Sequence, residues 1–282
     1  MSATPAPRFE TFLETPGLPR FDLPDALETT YGPFGLPERV VYANFVASVD
    51  GIVALPERPR SSALISGGDP ADRFVVAMLR ACADAVVIGA GTFRAHGGPW
   101  TAENAYSDGA AHFTELRRRA GMDPTPTLVV VTGSGRLEGP GSKLRGAIVA
   151  TTARAAENLR GSASGAAEIW PVGETDTLEP AKVVAALYKR GYRRILTEGG
   201  PTLMGQLLRA GAVDELFLTI SPVMAGGGEH PRPTLAAGVD LLAAGSPRAH
   251  LLSGRSHGSY LFLRYACNPG TEGSKVGQGP DD

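Results

Sequence analysis

The 282-residue chain holds only two cysteines, Cys82 and Cys267, far apart and in no Cys-x-x-Cys pair. That scarcity excludes a zinc knuckle and a disulfide scaffold and fits a reducing compartment. Excess charge of one sign is also lacking, with 27 Lys and Arg against 29 Asp and Glu. Without a basic stripe to release counterions from a phosphate backbone, nucleic acid is not an expected partner. No apolar run approaches the ~20 residues of a membrane span. The opening MSATPAPRFETF has no basic stretch followed by an apolar core, so a cytoplasmic protein with no membrane partner is expected. His96, His112, His230, His250 and His257 fall in no metal-ligand spacing and read as solvent or loop residues, so no metal is expected. Gly-x-Ser-x-Gly, Walker A and His-Glu-x-x-His patterns are missing, which removes the usual signatures of acyl and phosphoryl transfer.

What is present is 43% hydrophobic content with 36 glycines and 23 prolines, the composition of a globular chain rich in tight turns. Prolines at 5, 7, 16, 19, 24, 33 and 37 leave no room for a helix or an inner strand, so residues 1–38 read as a proline-rich arm. Residues 268–282, NPGTEGSKVGQGPDD, have few apolar side chains to offset the entropy of ordering and read as a disordered tail. The folded body is residues 39–267. Apolar runs of strand length recur there, at Val40–Val46, Ala85–Ile88, Leu128–Val131, Ala147–Ala150, Ile195–Leu196 and Glu215–Ile220. Helical patterns alternate with them. Asp69 caps one that opens at Pro70, Glu179 and Pro180 open a second, and Pro201 opens a third that Gly211 closes. The alternation predicts one α/β domain with a mostly parallel sheet flanked by helices. The aromatic-rich alternating segment from His257 to Cys267 predicts a further strand, antiparallel to the one at Glu215–Ile220, which makes the sheet mixed.

In open α/β sheets ligands bind at the carboxyl ends of strands, and three strand ends here carry polar or glycine-rich turns. The first is Ala47-Ser48-Val49-Asp50-Gly51, although Asp-Gly is also an ordinary turn dipeptide. The second, DAVVIGAGT from Asp84 to Thr92, invites comparison with the dinucleotide fingerprint but has Arg94 at the third glycine. A Rossmann domain is therefore disfavoured, and a tight strand-to-loop turn is the simple reading. The third, ILTEGGPTLMGQ from Ile195 to Gln206, places Gly199 and Gly200 before a helix start at Pro201. Absence of Cβ atoms beside free helix N–H groups describes a phosphate site, and a plain Gly-Gly turn fits the same residues. The Gly226-Gly227-Gly228 run reads as a flexible loop without a catalytic part.

The order of these segments, with Ser62-Ala-Leu-Ile-Ser66 before a helix ending Leu79-Arg80-Ala81, resembles a known reductase family from about Val40 to Ala266. It is the reductase domain of the bifunctional riboflavin-biosynthesis deaminase/reductase, in the dihydrofolate reductase-like superfamily. The resemblance implies a dihydrofolate reductase-like α/β fold, with helices on both faces of a mixed, mostly parallel sheet. It implies an NADPH-dependent oxidoreductase acting like 5-amino-6-(5-phosphoribosylamino)uracil reductase, with hydride transfer to the ribose of an aminopyrimidine. By the same resemblance Ala47, Leu64, Thr92, Gly199, Gly200, Pro201, Thr202, Leu203, Met204, Gly205 and Gln206 line the NADPH site. Ser48, Ser62, Arg80 and Glu198 face the substrate, and Asp50 and Glu198 serve catalysis. A proline-rich arm and a late aromatic strand suit a homodimer. Two departures stand out: His96 replaces the family's acidic residue, and no arginine follows Trp100 closely to grip a substrate phosphate. The zinc ligands of the deaminase half are also absent. A pterin such as dihydrofolate is the alternative substrate, and a non-catalytic nucleotide-binding module is the alternative to an enzyme.

Overall fold

A computed structural model of the chain describes residues 6–56, 58, 61–96, 99–137, 144–162, 167–172, 176–229, 231–243 and 248–267. The tail expected at 268–282 lies outside the described residues, as do Gly97, Gly98 and His230. The chain opens with β1 (Glu10–Glu14), α1 (Asp25–Tyr31), β2 (Val40–Ser48), α2 (Ser61–Ile65), α3 (Pro70–Ala81), β3 (Ala85–Gly89) and α4 (Ala90–Ala95). It continues through α5 (Ala102–Ala105), α6 (Ala110–Arg119), β4 (Thr127–Thr132), β5 (Ile148–Thr151), α7 (Ala153–Ser162), β6 (Glu168–Pro171) and α8 (Pro180–Lys189). The last elements are β7 (Arg194–Thr197), α9 (Pro201–Arg209), β8 (Glu215–Ser221), β9 (His250–His257) and β10 (Tyr260–Ala266). No helix among the described residues is long and apolar enough to cross a membrane.

Among the described residues, ten strands join one sheet in the order β1-β9-β10-β8-β2-β7-β3-β4-β5-β6. Pairings from β8 through β2, β7, β3, β4 and β5 to β6 are parallel. β10 runs antiparallel to β8, from Leu261 opposite Ile220 to Ala266 opposite Glu215, as the alternating pattern predicts. β9 and β1 extend the antiparallel edge. Side-chain alternation divides the core between the two faces. Tyr42, Val86, Ile88, Val130 and Leu196 pack with Phe74, Met78, Phe113 and Leu116 of α3 and α6. Val41, Ala43, Val87, Val129 and Ile195 pack on the other side with Val183, Leu187, Met204 and Leu207 of α8 and α9.

Strand starts are pinned by carboxylates. Asp84 accepts from the N–H groups of Arg193 and Arg194 at 2.7 and 2.8 Å, and Asp214 accepts from Val41 N–H at 2.7 Å. Asp69 caps α3 as expected, accepting from Ala71 N–H at 2.7 Å. Arg117 closes the other end of α3: its Nη1 donates to the carbonyls of Arg80, Ala81 and Ala83 at 3.3, 3.1 and 2.7 Å. A cation there complements the helix dipole and holds the turn that carries Arg80.

Two expectations are corrected. Residues 1–38 do carry a helix, because its seven residues fit between Pro24 and Pro33 without containing a proline. Leu27 and Tyr31 of α1, with Leu23, Phe34 and Leu36, join the buried core, while β1 is an exposed edge strand. The turn after β3 is likewise not a simple loop, since α4 begins at Ala90 directly after Gly89.

Candidate active site

Two of the strand ends singled out in the sequence, those of β3 and β7, open onto a cavity of about 990 Å³, large enough for two small molecules. β2 contributes Asn44, Phe45 and Val46; the β3–α4 turn contributes Gly89 to Thr92; and the β7–α9 turn contributes Glu198 to Leu203 with Gln206. From the helix side, Asp72, Val76 and Arg80 line the cavity at i, i+4 and i+8 of α3, the spacing that puts three side chains on one helix face.

Arg80 and Glu198 meet inside it as a two-point pair, with Nε 3.0 Å from Oε1 and Nη2 2.6 Å from Oε2. Both side chains are nearly buried, at 12% and 11% exposure. The remaining Arg80 nitrogen, Nη1, donates to Thr101 O at 3.4 Å. Such a fork is charge-assisted and geometrically rigid, so it presents an ordered polar surface to a ligand. A second polar pair joins Ser62 Oγ and His96 Nε2 at 2.9 Å, while His96 Nδ1 lies 3.2 Å from Thr92 O. The carbonyl accepts the Nδ1 proton, so in the neutral ring Nε2 is the acceptor for the Ser62 hydroxyl.

Asp72 is a buried carboxyl on the cavity wall. Burial raises its pKa to about 6, a hydrogen bond from Thr219 opposes the rise, and the charges of Asp69 and Glu198 add to it. Asp50 is in the opposite situation. Its carboxylate accepts from Ser48 Oγ at 2.5 Å and from the N–H groups of Ala225 and Gly226 at 3.1 and 2.7 Å. These bonds, Ser48 first, hold its pKa down at about 2.

Ser62, Arg80, Thr92, Glu198, Gly199, Gly200, Pro201, Thr202, Leu203 and Gln206 are therefore brought together on one cavity. Six residues carried over from the resemblance are not on its wall. Ala47 and Met204 are buried in the core beneath α9, and Leu64 points outward from α2 at 48% exposure. Gly205 faces the backbone of residue 237, where an added Cβ would lie 2.7 Å from Ala237 O. Ser48 and Asp50 instead anchor the 225–226 loop. Conversely, His96 is a cavity residue and not the solvent or loop histidine expected. Asn44, Ser66, Asp72, Trp100 and Asn104 also line the cavity without having been singled out for it. For His96 the available signal was its place where the family has an acidic residue. For Asp72 there was none, because a charged residue in a helix's first turn is ordinary.

The cavity's other wall fits an anionic dinucleotide. Cβ atoms added at Gly89, Gly91 or Gly133 would meet nothing within 4 Å, and one at Gly200 would meet only Thr92 Oγ1 at 3.4 Å. No side chain caps the first N–H groups of α9, so backbone donors and bare glycine surface face the same space. Among the described residues no group of three or more His, Cys, Asp and Glu is placed to hold a metal ion.

Residues 39–251 match the model of the RibD C-terminal domain. The chain belongs to that family. Within it, 194 residues are 30% identical to the 2,5-diamino-6-ribosylamino-4(3H)-pyrimidinone 5′-phosphate reductase of Archaeoglobus fulgidus, over 68% of this chain and 84% of that one. A pyrimidine reductase-like protein of Corynebacterium diphtheriae superposes with a TM-score of 0.66 at 24% identity, over 85% of this chain and 97% of its own. The Thermotoga maritima deaminase/5-amino-6-(5-phosphoribosylamino)uracil reductase superposes at 0.58 and 19% identity, over 82% of this chain and 57% of its own. These two structural likenesses establish the fold. The RibD C-terminal domain family and its named relatives make the chain an oxidoreductase of the riboflavin-biosynthesis reductases.

Proposed function

We propose that the chain is a cytoplasmic NADPH-dependent reductase that converts the ribose of a phosphoribosylaminopyrimidine to a ribityl chain. The observation that carries this reading is the ordered Arg80–Glu198 pair in one cavity with a glycine-lined helix start. The sequence resemblance points to 5-amino-6-(5-phosphoribosylamino)uracil, and the Archaeoglobus relative is named for the 2,5-diamino pyrimidinone. Both substrates are aminopyrimidines joined to a ribose 5′-phosphate. The named relatives favour neither dihydrofolate reduction nor a non-catalytic module.

Thr92, Gly199, Gly200, Pro201, Thr202, Leu203 and Gln206 hold the cofactor in this reading, with the first N–H groups of α9 on its pyrophosphate. The 2′-phosphate form of the cofactor is what the family resemblance implies, and none of the lining residues beside Gly133 is acidic to hydrogen-bond a free ribose 2′-hydroxyl. The bound nicotinamide supplies the hydride. The protein's work is then positional: Arg80, Glu198 and Ser62 orient the polar heterocycle and sugar so that donor and acceptor carbons meet in near-attack geometry. Asp50, with Ser48, acts as a positioning residue that fastens the 225–226 loop to the end of β2. Phe12, Leu13 and Leu261 leave apolar side chains exposed on the antiparallel part of the sheet, which supports a homodimer that light scattering can check.

The deciding assay follows NADPH absorbance with both aminopyrimidine phosphates, a dephosphorylated form and dihydrofolate. Turnover of a phosphorylated aminopyrimidine alone supports the reading. Turnover of dihydrofolate alone, or of nothing in the panel, overturns it. Fluorescence titration with NADPH and NADH tests the cofactor, and equal affinities would remove the 2′-phosphate assignment.

A further inference from the structure

Reduction of a sugar carbon by hydride needs a proton as well, and the cavity holds several ionisable groups: Arg58, Asp72, Arg73, Arg80, His96 and Glu198. Glu198 is unsuited to give one. Both its oxygens accept from the Arg80 guanidinium and are already engaged in that pair. Asp50 lies off the wall and is held ionised by three donors. The arginines keep their protons at any physiological pH. Asp72 differs from all of these. Its side chain is buried against β8, where Thr219 is its hydrogen-bond donor, and none of the described cations forms an ion pair with it. It stands two helical turns from Arg80 on the same lining face of α3.

We propose that Asp72 is the proton donor of the reduction. This rests on the reading of the chain as an aminopyrimidine ribose reductase. In the step, the nicotinamide's hydride forms the new C–H bond at C1′ of the ribose, and the C1′–O4′ bond breaks with its electron pair moving to O4′. The Asp72 carboxyl proton goes to O4′, which becomes the 4′-hydroxyl. The ribose carbon is reduced by two electrons, the dihydronicotinamide is oxidised by two, and water returns the proton to the carboxylate.

The charged and titratable groups facing Asp72 are Asp69 on its own helix cap, Glu198 after β7 and Tyr260 of β10. All of them disfavour a second negative charge there when ionised, so the acid form persists to a pKa of about 6. A donor must be protonated to act, so turnover falls as pH rises through that value.

The test uses the full chain and Asp72→Asn, which keeps the shape and an acceptor for Thr219. Wild type on the aminopyrimidine phosphate should show the falling limb. D72N should lose turnover about 10²-fold and lose the limb, with NADPH affinity retained. Independently of substrate and cofactor, infrared titration of the free protein should show a protonated-carboxyl band that fades from about pH 5 to about pH 7 and is missing in D72N. Thr219→Val, which removes that donor to the carboxylate, should move both the band and the limb to higher pH. D72N with wild-type turnover, a missing band, or a limb that persists in D72N and vanishes in His96→Gln would overturn the assignment. Wild type inactive on every aminopyrimidine would instead overturn the function, and the donor role with it.

Discussion

Glu198→Gln removes one charge from the Arg80–Glu198 pair and keeps its outline. Arg80 would then stand at 12% exposure with two donors, Nε and Nη2, facing an amide that offers one oxygen and one competing NH₂. Removing one member of a buried pair costs about 3–5 kcal/mol, and because Gln restores part of the bonding we expect about 3 kcal/mol here. For a domain of this size each kcal/mol moves Tm by about 2–4 °C, so a fall of about 6–12 °C is expected. Turnover should fall about 10²-fold, because the surface that orients the substrate is lost with the carboxylate. NADPH affinity should hold, since the first N–H groups of α9 follow Gly199 and Gly200 and do not involve the Glu198 side chain. The double variant Arg80→Gln with Glu198→Gln separates the two effects. With both charges gone it should recover to within about 1 kcal/mol of wild-type stability while staying inactive, a coupling of the kind contacting residues show. Melting curves and steady-state kinetics on wild type, E198Q, R80Q and the double variant make the comparison. Wild-type kcat in E198Q would refute the substrate-side role, and strictly additive losses in the double variant would refute the pairing energy.

Gly200→Val should fold normally, because Gly200 has φ −67 and ψ 171, backbone that any residue adopts. Its side chain would enter the cavity beside Thr92 Oγ1, so NADPH affinity should drop about tenfold or more in a fluorescence titration. Arg255→Ala should free the N-terminal arm. The 2%-exposed guanidinium of Arg255 donates to Tyr31 O at 2.9 Å and Pro33 O at 3.0 Å and pairs with Glu14 at 3.2 Å. Its loss should cost about 3–5 kcal/mol and expose residues 6–38 to limited proteolysis. D72N should be more stable than wild type near neutral pH. The native carboxyl titrates at about 6 against 3.8 for the ordinary group, so the native state binds more protons between these values and stability falls as pH rises through them. The full cost, about 3 kcal/mol for two units, is present above about pH 6. The Tm gap between D72N and wild type should therefore open with rising pH and close below about pH 4, and a pH-independent gap would refute the raised pKa.

The sequence alone determined the elements whose causes are local. Val- and Ile-rich runs became β2, β3, β4, β5, β7 and β8 because strand preference and burial on both faces act on consecutive residues. Asp69, Pro180, Pro201 and Gly211 marked helix ends because capping and φ restriction act within one turn. Of the candidate site, the Glu-Gly-Gly turn was legible for the same reason, since a strand end, two glycines and a helix start are contiguous. Tertiary structure decided what depends on long-range contact. Helix α1 persists among prolines because Leu27 and Tyr31 are buried against the body and Arg255, 224 positions from Tyr31, donates to the Tyr31 carbonyl. His96 becomes a cavity residue only because α4 and α2 bring it to Ser62, and Asp72 acquires its raised pKa only because β8 and β10 close over it. Which of the residues near a strand end face the cavity was decided in the same way, by how α9 rolls on the sheet. Thr202, Leu203 and Gln206 line it, whereas Met204 and Gly205 face the core and the chain at Ala237. Burial and partners at these positions are properties of surfaces meeting across the fold, and they have no signature in the neighbouring sequence.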